Sequence, residues 1–212
     1  MNNFIKATRM VEEILVRFPV SPEVAKAMAN VDRELFISSG MKNVAFKLDA
    51  LPLAGDQWIS SPLTVAKMTH YLETQGADSV LEVGCGSGYQ AVVLSFLIRR
   101  VFSIERIEKL LLEARQRIRL LGITNINTRF EDGQRGWREF APYDRILFSA
   151  AATRIPEELT RQLAEGGILI APIVQNNKQI ITRFEKHNGI FREVAQLEEC
   201  VFVPVQDGLV RG

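Results

Sequence analysis

Glu82-x-Gly84-x-Gly86-x-Gly88 sets a carboxylate and three alternate glycines at the end of the apolar run Val80–Val83. Glycine reaches backbone angles closed to other residues and lets a ligand lie against the main chain, while a following helix turns its unpaired N–H groups toward it. The dinucleotide fingerprint Gly-x-Gly-x-x-Gly fails, because registering it on Gly84 and Gly86 requires a third glycine where Tyr89 stands. Glu82 would repel a pyrophosphate. The pattern implies a cationic ligand group instead, an ammonium or a sulfonium.

Further acids follow at useful spacing. Glu105 lies 21 residues after Gly84, close to the spacing of the acid that accepts hydrogen bonds from a ribose diol. Asp132-Gly133 closes the third predicted strand, where a short acid either meets an adenine exocyclic amine or caps a helix. Ser149-Ala150-Ala151-Ala152 offers small side chains that leave floor space beneath a ligand or simply pack. Ser60-Ser61 precedes Pro62, and one reading is that both serines only cap a helix. Cys85, Cys200, His70 and His187 show neither disulfide nor metal-ligand spacing, and no catalytic role is assigned to either histidine.

These residues need a scaffold that brings them to one edge. From Ser79 the chain alternates strand and helix signals, which predicts a doubly wound α/β fold with a mostly parallel sheet. The predicted strands are Ser79–Val83, Arg100–Ile104, Asn127–Phe130, Arg145–Phe148 and Ile168–Pro172. Helices are predicted at Tyr89–Ile98, Ile107–Leu121 and Pro156–Ala164, with Gly122 and Gly166-Gly167 as stops. Gln179–Lys186 and Ala195–Val205, on either side of the turn-like His187-Asn188-Gly189, predict an antiparallel strand pair finishing the sheet. Upstream, residues 4–18 and a segment capped by Ser21 predict two helices, Pro62–Thr74 a third, and Gly40–Leu53 loops or short strands. The expected division is a helical N-terminal extension with an acceptor-side segment over residues 1–62 and a ligand-binding domain over 63–212, together one compact unit. In such sheets ligands bind beyond the carboxyl ends of the strands, where strand order reverses.

Composition narrows the classes. A formal net charge of +1 over 212 residues gives no electrostatic reason to expect nucleic acid or an anionic membrane. No apolar run reaches membrane-spanning length, and a polar start suggests the cytosol. Oligomeric state leaves no mark in the sequence.

Glu82, Glu105 and the glycines together resemble the S-adenosylmethionine site of Rossmann-like class I methyltransferases. Leu81–Ala91, Phe102–Ile107, Glu131-Asp132-Gly133, Gly136-Trp137, Ala150-Ala151-Ala152, Met28–Ile37 and Phe202-Val203-Pro204-Val205 resemble, in order, the protein-L-isoaspartate O-methyltransferase family. The resemblance implies transfer of a methyl group from S-adenosylmethionine, leaving S-adenosylhomocysteine, to the free carboxyl of L-isoaspartyl residues in damaged proteins. It implies that the cofactor meets Ile59, Ser60, Glu82, Gly84, Cys85, Gly86, Ser87, Gly88, Glu105, Arg106, Asp132, Gly133 and Ala150. It also makes Ser60 the active-site serine, orienting the acceptor carboxylate rather than attacking anything.

The segment Pro52–Pro62 departs from the family pattern. Trp58 replaces a small hydroxyl residue, Ala54 stands where glycine is usual, and Asp56 brings negative charge toward a site for an acidic substrate. Val201 stands where bacterial members often have arginine. Three readings stay open: an isoaspartyl methyltransferase, a methyltransferase of this lineage with another acceptor, and a cofactor-binding protein without catalysis.

Overall fold

Capping chemistry sets the first helices of the computed structural model, which describes residues 2–211. Helix α1 (Asn3–Arg17) begins where the Asn2 side chain accepts the Phe4 N–H, and it buries Ala7, Met10, Val11 and Ile14 along one face. Helix α2 (Pro22–Ala29) starts behind Ser21, whose hydroxyl oxygen accepts from Val24. Two 3₁₀ turns, Arg33–Phe36 and Ser39–Val44, lead to a hairpin of β1 (Leu51–Pro52) and β2 (Trp58–Ile59). Helix α3 (Pro62–Tyr71) is capped by Ser61, which accepts the Thr64 N–H at 3.1 Å, and it stops short of the expected Thr74.

The sheet then builds outward from its centre. Strands and helices alternate as β3 (Ser79–Val83), α4 (Tyr89–Ser95), β4 (Arg100–Glu105), α5 (Glu108–Leu120), β5 (Ile126–Phe130), β6 (Tyr143–Phe148), α6 (Glu157–Gln162) and β7 (Leu163–Gln175). Strands β8 (Lys178–His187) and β9 (Ile190–Cys200) follow without a helix. The spatial order is β5-β4-β3-β6-β7-β8-β9, parallel through β7 and antiparallel beyond. The chain runs out from β3 to β5 and returns to lay β6 on the other side of β3. The reversal point therefore lies between β3 and β6, beside the glycine loop.

All five residues of β3 are buried, as a strand covered on both faces requires. Leu81 and Val83 join the core on one face with Phe102, Ile146 and Phe148, while Val80 joins Val101, Leu147 and Leu94 of α4 on the other. The N-terminal helices share their core with the rest: Met10, Ile14, Met28 and Phe36 cluster with Val65, Tyr89, Val92 and Ile118.

Several boundaries differ from the sequence reading. Helix α4 ends at Ser95 rather than Ile98, and α6 ends at Gln162, so Leu163 already belongs to β7. Gly166-Gly167 are no helix stop but lie inside β7, where register shifts from Tyr143↔Leu163 to Arg145↔Ile168. The φ of 73° at Gly166 suits a helix C-cap and a bulge alike, so residue type did not separate them. The last strand spans Ile190–Cys200 rather than Ala195–Val205, and Phe202–Val205 turns away to pair with the exit of β6. There Ala151 N–H donates to Val203 and Val205 N–H donates to Ala151. Asn188 and Gly189, at φ 53° and 72°, form the expected tight turn.

Candidate active site

The glycine loop is held at the carboxyl end of β3 by its neighbours. Gly84 and Cys85 N–H groups both donate to the Ile104 carbonyl at 2.9 Å, and Gly84, Gly86 and Gly88 adopt φ of 97°, 53° and 87°. Those angles favour glycine at all three positions. The loop floors a cavity of about 990 Å³, counting its open mouth.

Two buried carboxylates flank this floor. Glu82 is fully buried; its Oε2 accepts from Ser103 Oγ at 2.5 Å and its Oε1 from Ser149 Oγ at 3.1 Å. Desolvation pushes its pKa up to about 8 against the pull of those hydroxyls. Burial therefore favours the neutral form of Glu82 in the free protein. Glu105 ends β4, its Oε2 accepting the Gly86 N–H at 2.8 Å and its Oε1 the Ile107 N–H at 2.9 Å. Burial raises its pKa, and those backbone bonds oppose the rise. Each oxygen retains a lone pair, so the pair suits two adjacent hydroxyl donors.

The opposite wall comes from the β1–β2 hairpin. Ser61 takes the capping role alone, whereas Ser60 is half-buried, lines the cavity and makes no side-chain hydrogen bond among the described residues. Ile59 is buried beside it. The turn of the hairpin holds Asp56 at an exposed position with φ 54°, outside the cavity lining. Trp58 does line the mouth and stays 54% exposed. Val201 is exposed and off the lining.

Of the expected residues, Ile59, Ser60, Glu82, Gly84, Cys85, Gly86, Ser87, Glu105, Arg106, Gly133 and Ala150 line this one cavity. Gly88 and Asp132 stand outside it. Gly88 packs the loop on α5, where an added Cβ would sit 3.3 Å from Ala114. Asp132 caps the Gly133–Arg135 turn through Gln134 N–H at 3.0 Å and holds Gly208 N–H at 2.8 Å. Arg106 also serves the tail, donating to Gly208, Gln206 and Asp207. Arg117 of α5 pairs with Glu113 and also donates to the Ser87 carbonyl at 3.3 Å.

Residues given no individual site role from sequence also shape the site. Tyr89, Gln90 and Phe202–Gln206 line the cavity, Ser149 lines it as part of the expected small-residue floor, and Ser103 supports Glu82 from the facing position of β4. Strand register was the missing signal for Ser103: a hydroxyl opposite a buried acid satisfies it. His70 is structural, its Nδ1 accepting the Ser21 N–H at 3.2 Å.

The geometry accords with what comparison finds. The family model described as protein-L-isoaspartate(D-aspartate) O-methyltransferase matches residues 6–210. The chain is 57% identical over 207 residues to the Helicobacter pylori (strain G27) protein-L-isoaspartate O-methyltransferase, covering 98% of this chain and 99% of that one. It is 43% identical to the Dictyoglomus turgidum enzyme of the same name, covering 88% and 84%. A solved protein-L-isoaspartate O-methyltransferase superposes with a TM-score of 0.86 at 28% identity, over 96% of this chain and 67% of that one. The Plasmodium falciparum beta-aspartate methyltransferase, solved in complex with S-adenosyl-L-homocysteine, shares the fold with a TM-score of 0.78 at 23% identity, covering 94% and 98%.

Proposed function

Because the chain belongs to the protein-L-isoaspartate(D-aspartate) O-methyltransferase family, we propose that the two walls of its cavity divide the work, Glu82 and Glu105 holding the cofactor and Ser60 the acceptor. The reaction is transfer of a methyl group from S-adenosylmethionine to the free carboxyl of L-isoaspartyl residues in damaged proteins, a repair step. Family membership favours the first of the three readings drawn from sequence. The observation that carries the division of labour is the meeting of Glu82, Glu105 and Ser60 around one cavity.

S-adenosylmethionine supplies, when bound, an electrophilic methyl group on a positively charged sulfur. The protein fits such a group because Glu82 is a buried acid awaiting a cation and Glu105 keeps two acceptor oxygens at the rim of the glycine loop. Glu82 would carry its negative charge toward the cationic end, and Glu105 would accept from the ribose hydroxyls. Gly84, Cys85, Gly86 and Ser87 would let the cofactor lie against the main chain, with Ile59, Ala150 and Gly133 closing around it. Asp132 and Arg106 would act from the rim by holding residues 206–208 in place.

A carboxylate acceptor is already an anionic nucleophile and needs no general base. The remaining tasks are alignment and removal of water, and well-aligned intramolecular systems gain on the order of 7–11 kcal/mol from such positioning. The free hydroxyl of Ser60 is placed to donate to the acceptor carboxylate and fix its direction. Phe202–Val205 also line the cavity and add apolar surface to it.

Transfer of labelled methyl to an isoaspartyl peptide and to its aspartyl twin tests the assignment. Labelling of the isoaspartyl peptide alone is expected; labelling of neither overturns the acceptor reading. We also place the enzyme in the cytosol, where two unpaired thiols, Cys85 and Cys200, stay reduced. Cell fractionation checks this. Among the described residues, no helix is long and apolar enough to cross a membrane.

A further inference from the structure

Arg33 is the largest completely buried side chain among the described residues, at 0% exposure in the turn Arg33–Phe36. Buried guanidinium groups ordinarily face a carboxylate. Arg33 faces none. Asp32 is taken by Asn3 and the Glu34 N–H, and Glu34 by Lys6.

Arg33 instead grips main chain. Its Nη1 donates to the Ser60 carbonyl at 2.9 Å and its Nη2 to the Asp49 carbonyl at 3.3 Å, while Nε is left without a partner. The guanidinium carbon lies 4.9 Å from the centre of the Tyr89 ring, whose buried hydroxyl is also unpartnered. Tyr89 opens α4 directly after Gly88 and lines the cavity. One side chain therefore spans both walls, from the hairpin that carries Ser60 to the helix behind the glycine loop.

Stability alone does not call for this arrangement, since apolar residues of similar volume often replace buried charges at no loss. What the planar fork does that no apolar side chain can is hold two carbonyls at once while stacking on a ring. We propose that Arg33 is a positioning residue for methyl transfer, fixing where the Ser60 hydroxyl stands relative to the glycine loop by holding the Ser60 and Asp49 carbonyls against Tyr89. This rests on the role given above to Ser60.

Two variants test it. Arg33→Lys keeps the charge and loses the fork; Arg33→Met keeps an apolar stem and loses both. Affinity for S-adenosylhomocysteine, measured by calorimetry, is expected to stay within about twofold, while kcat/KM for an isoaspartyl peptide falls roughly tenfold or more, less in Arg33→Lys. Unchanged kinetics, or a parallel loss of cofactor affinity, overturns the proposal. Hydrogen exchange with S-adenosylhomocysteine bound supplies a readout independent of turnover. Amides between Asp49 and Ser61 should exchange faster in both variants while those of Ser79–Val83 do not change. Unaltered exchange in that segment overturns the inference. Should Arg33→Met fail to fold, Arg33→Lys decides by the same criteria. If the unmodified protein leaves the isoaspartyl peptide unlabelled, the acceptor reading fails, and the exchange result still settles whether Arg33 holds the segment.

Discussion

The two walls of the cavity are built in opposite ways. The cofactor wall is the centre of a seven-stranded sheet, with every residue of β3 buried and both carboxylates already bonded to protein donors. The acceptor wall is a hairpin of two-residue strands, with an exposed turn and a tryptophan more than half exposed. The difference teaches where each kind of specificity resides. On the proposed assignment a small cofactor of fixed shape meets preorganised groups on rigid strands, whereas a peptide of variable sequence meets a short segment anchored from behind by Arg33 and exposed at its turn.

Breaking the cofactor wall should cost most. Glu105→Ala removes both proposed ribose acceptors and leaves the Gly86 and Ile107 N–H groups unpaired, so S-adenosylmethionine affinity should fall about 100-fold in calorimetry. Unchanged affinity would contradict the assignment. On the acceptor wall, Ser60→Ala should lower kcat/KM for an isoaspartyl peptide by roughly tenfold to a hundredfold, the scale of one hydrogen bond to a charged group, with at most a few-fold change in cofactor affinity. Equal losses in both would erase the distinction between the walls.

Glu82 gives the contrast a pH signature. Its pKa in the folded free protein, about 8, lies above the ordinary value of 4.5, so the folded state holds a proton that the unfolded chain has released. Its contribution to stability is therefore present below about pH 4.5 and is lost as pH rises through about 8. A bound cation favours the ionised form, so S-adenosylmethionine affinity should rise with pH by up to about tenfold per unit and level off above pH 8. Calorimetry at pH 7 in buffers of different ionisation enthalpy should record release of most of one proton. No release would show that Glu82 is already ionised in the free protein. The smallest effect is expected at the hairpin turn: Asp56→Asn should leave peptide KM within about twofold, because the residue is exposed and stands outside the cavity lining. A large fall in KM would mean that the turn closes over the substrate.

The cofactor wall was far more legible in the sequence than the acceptor wall. The glycine spacing, the acid at the end of β3 and the acid 21 residues after Gly84 are local patterns, and the alternation of elements fixes which strand ends meet. Gly166-Gly167 misled because positive φ serves helix caps and bulges equally, and Phe202–Val205 misled because an apolar run does not say which edge it pairs with. Asp132 followed its capping alternative. Arg33 stood out only as part of the family-like run Met28–Ile37: its partners are main-chain carbonyls of Asp49 and Ser60, which no residue type at those positions announces. Nor could spacing separate Ser60 from Ser61; only the helix start assigns the cap to Ser61 and frees its neighbour.

The most direct measurement is a crystal structure with S-adenosylhomocysteine and an isoaspartyl peptide bound together. The ribose hydroxyls are expected on Glu105, and the carboxylate of the isoaspartyl residue within hydrogen-bond distance, roughly 2.6–3.2 Å, of the Ser60 hydroxyl. A peptide carboxylate seated away from Ser60, with the cofactor in place on Glu105, would contradict this assignment.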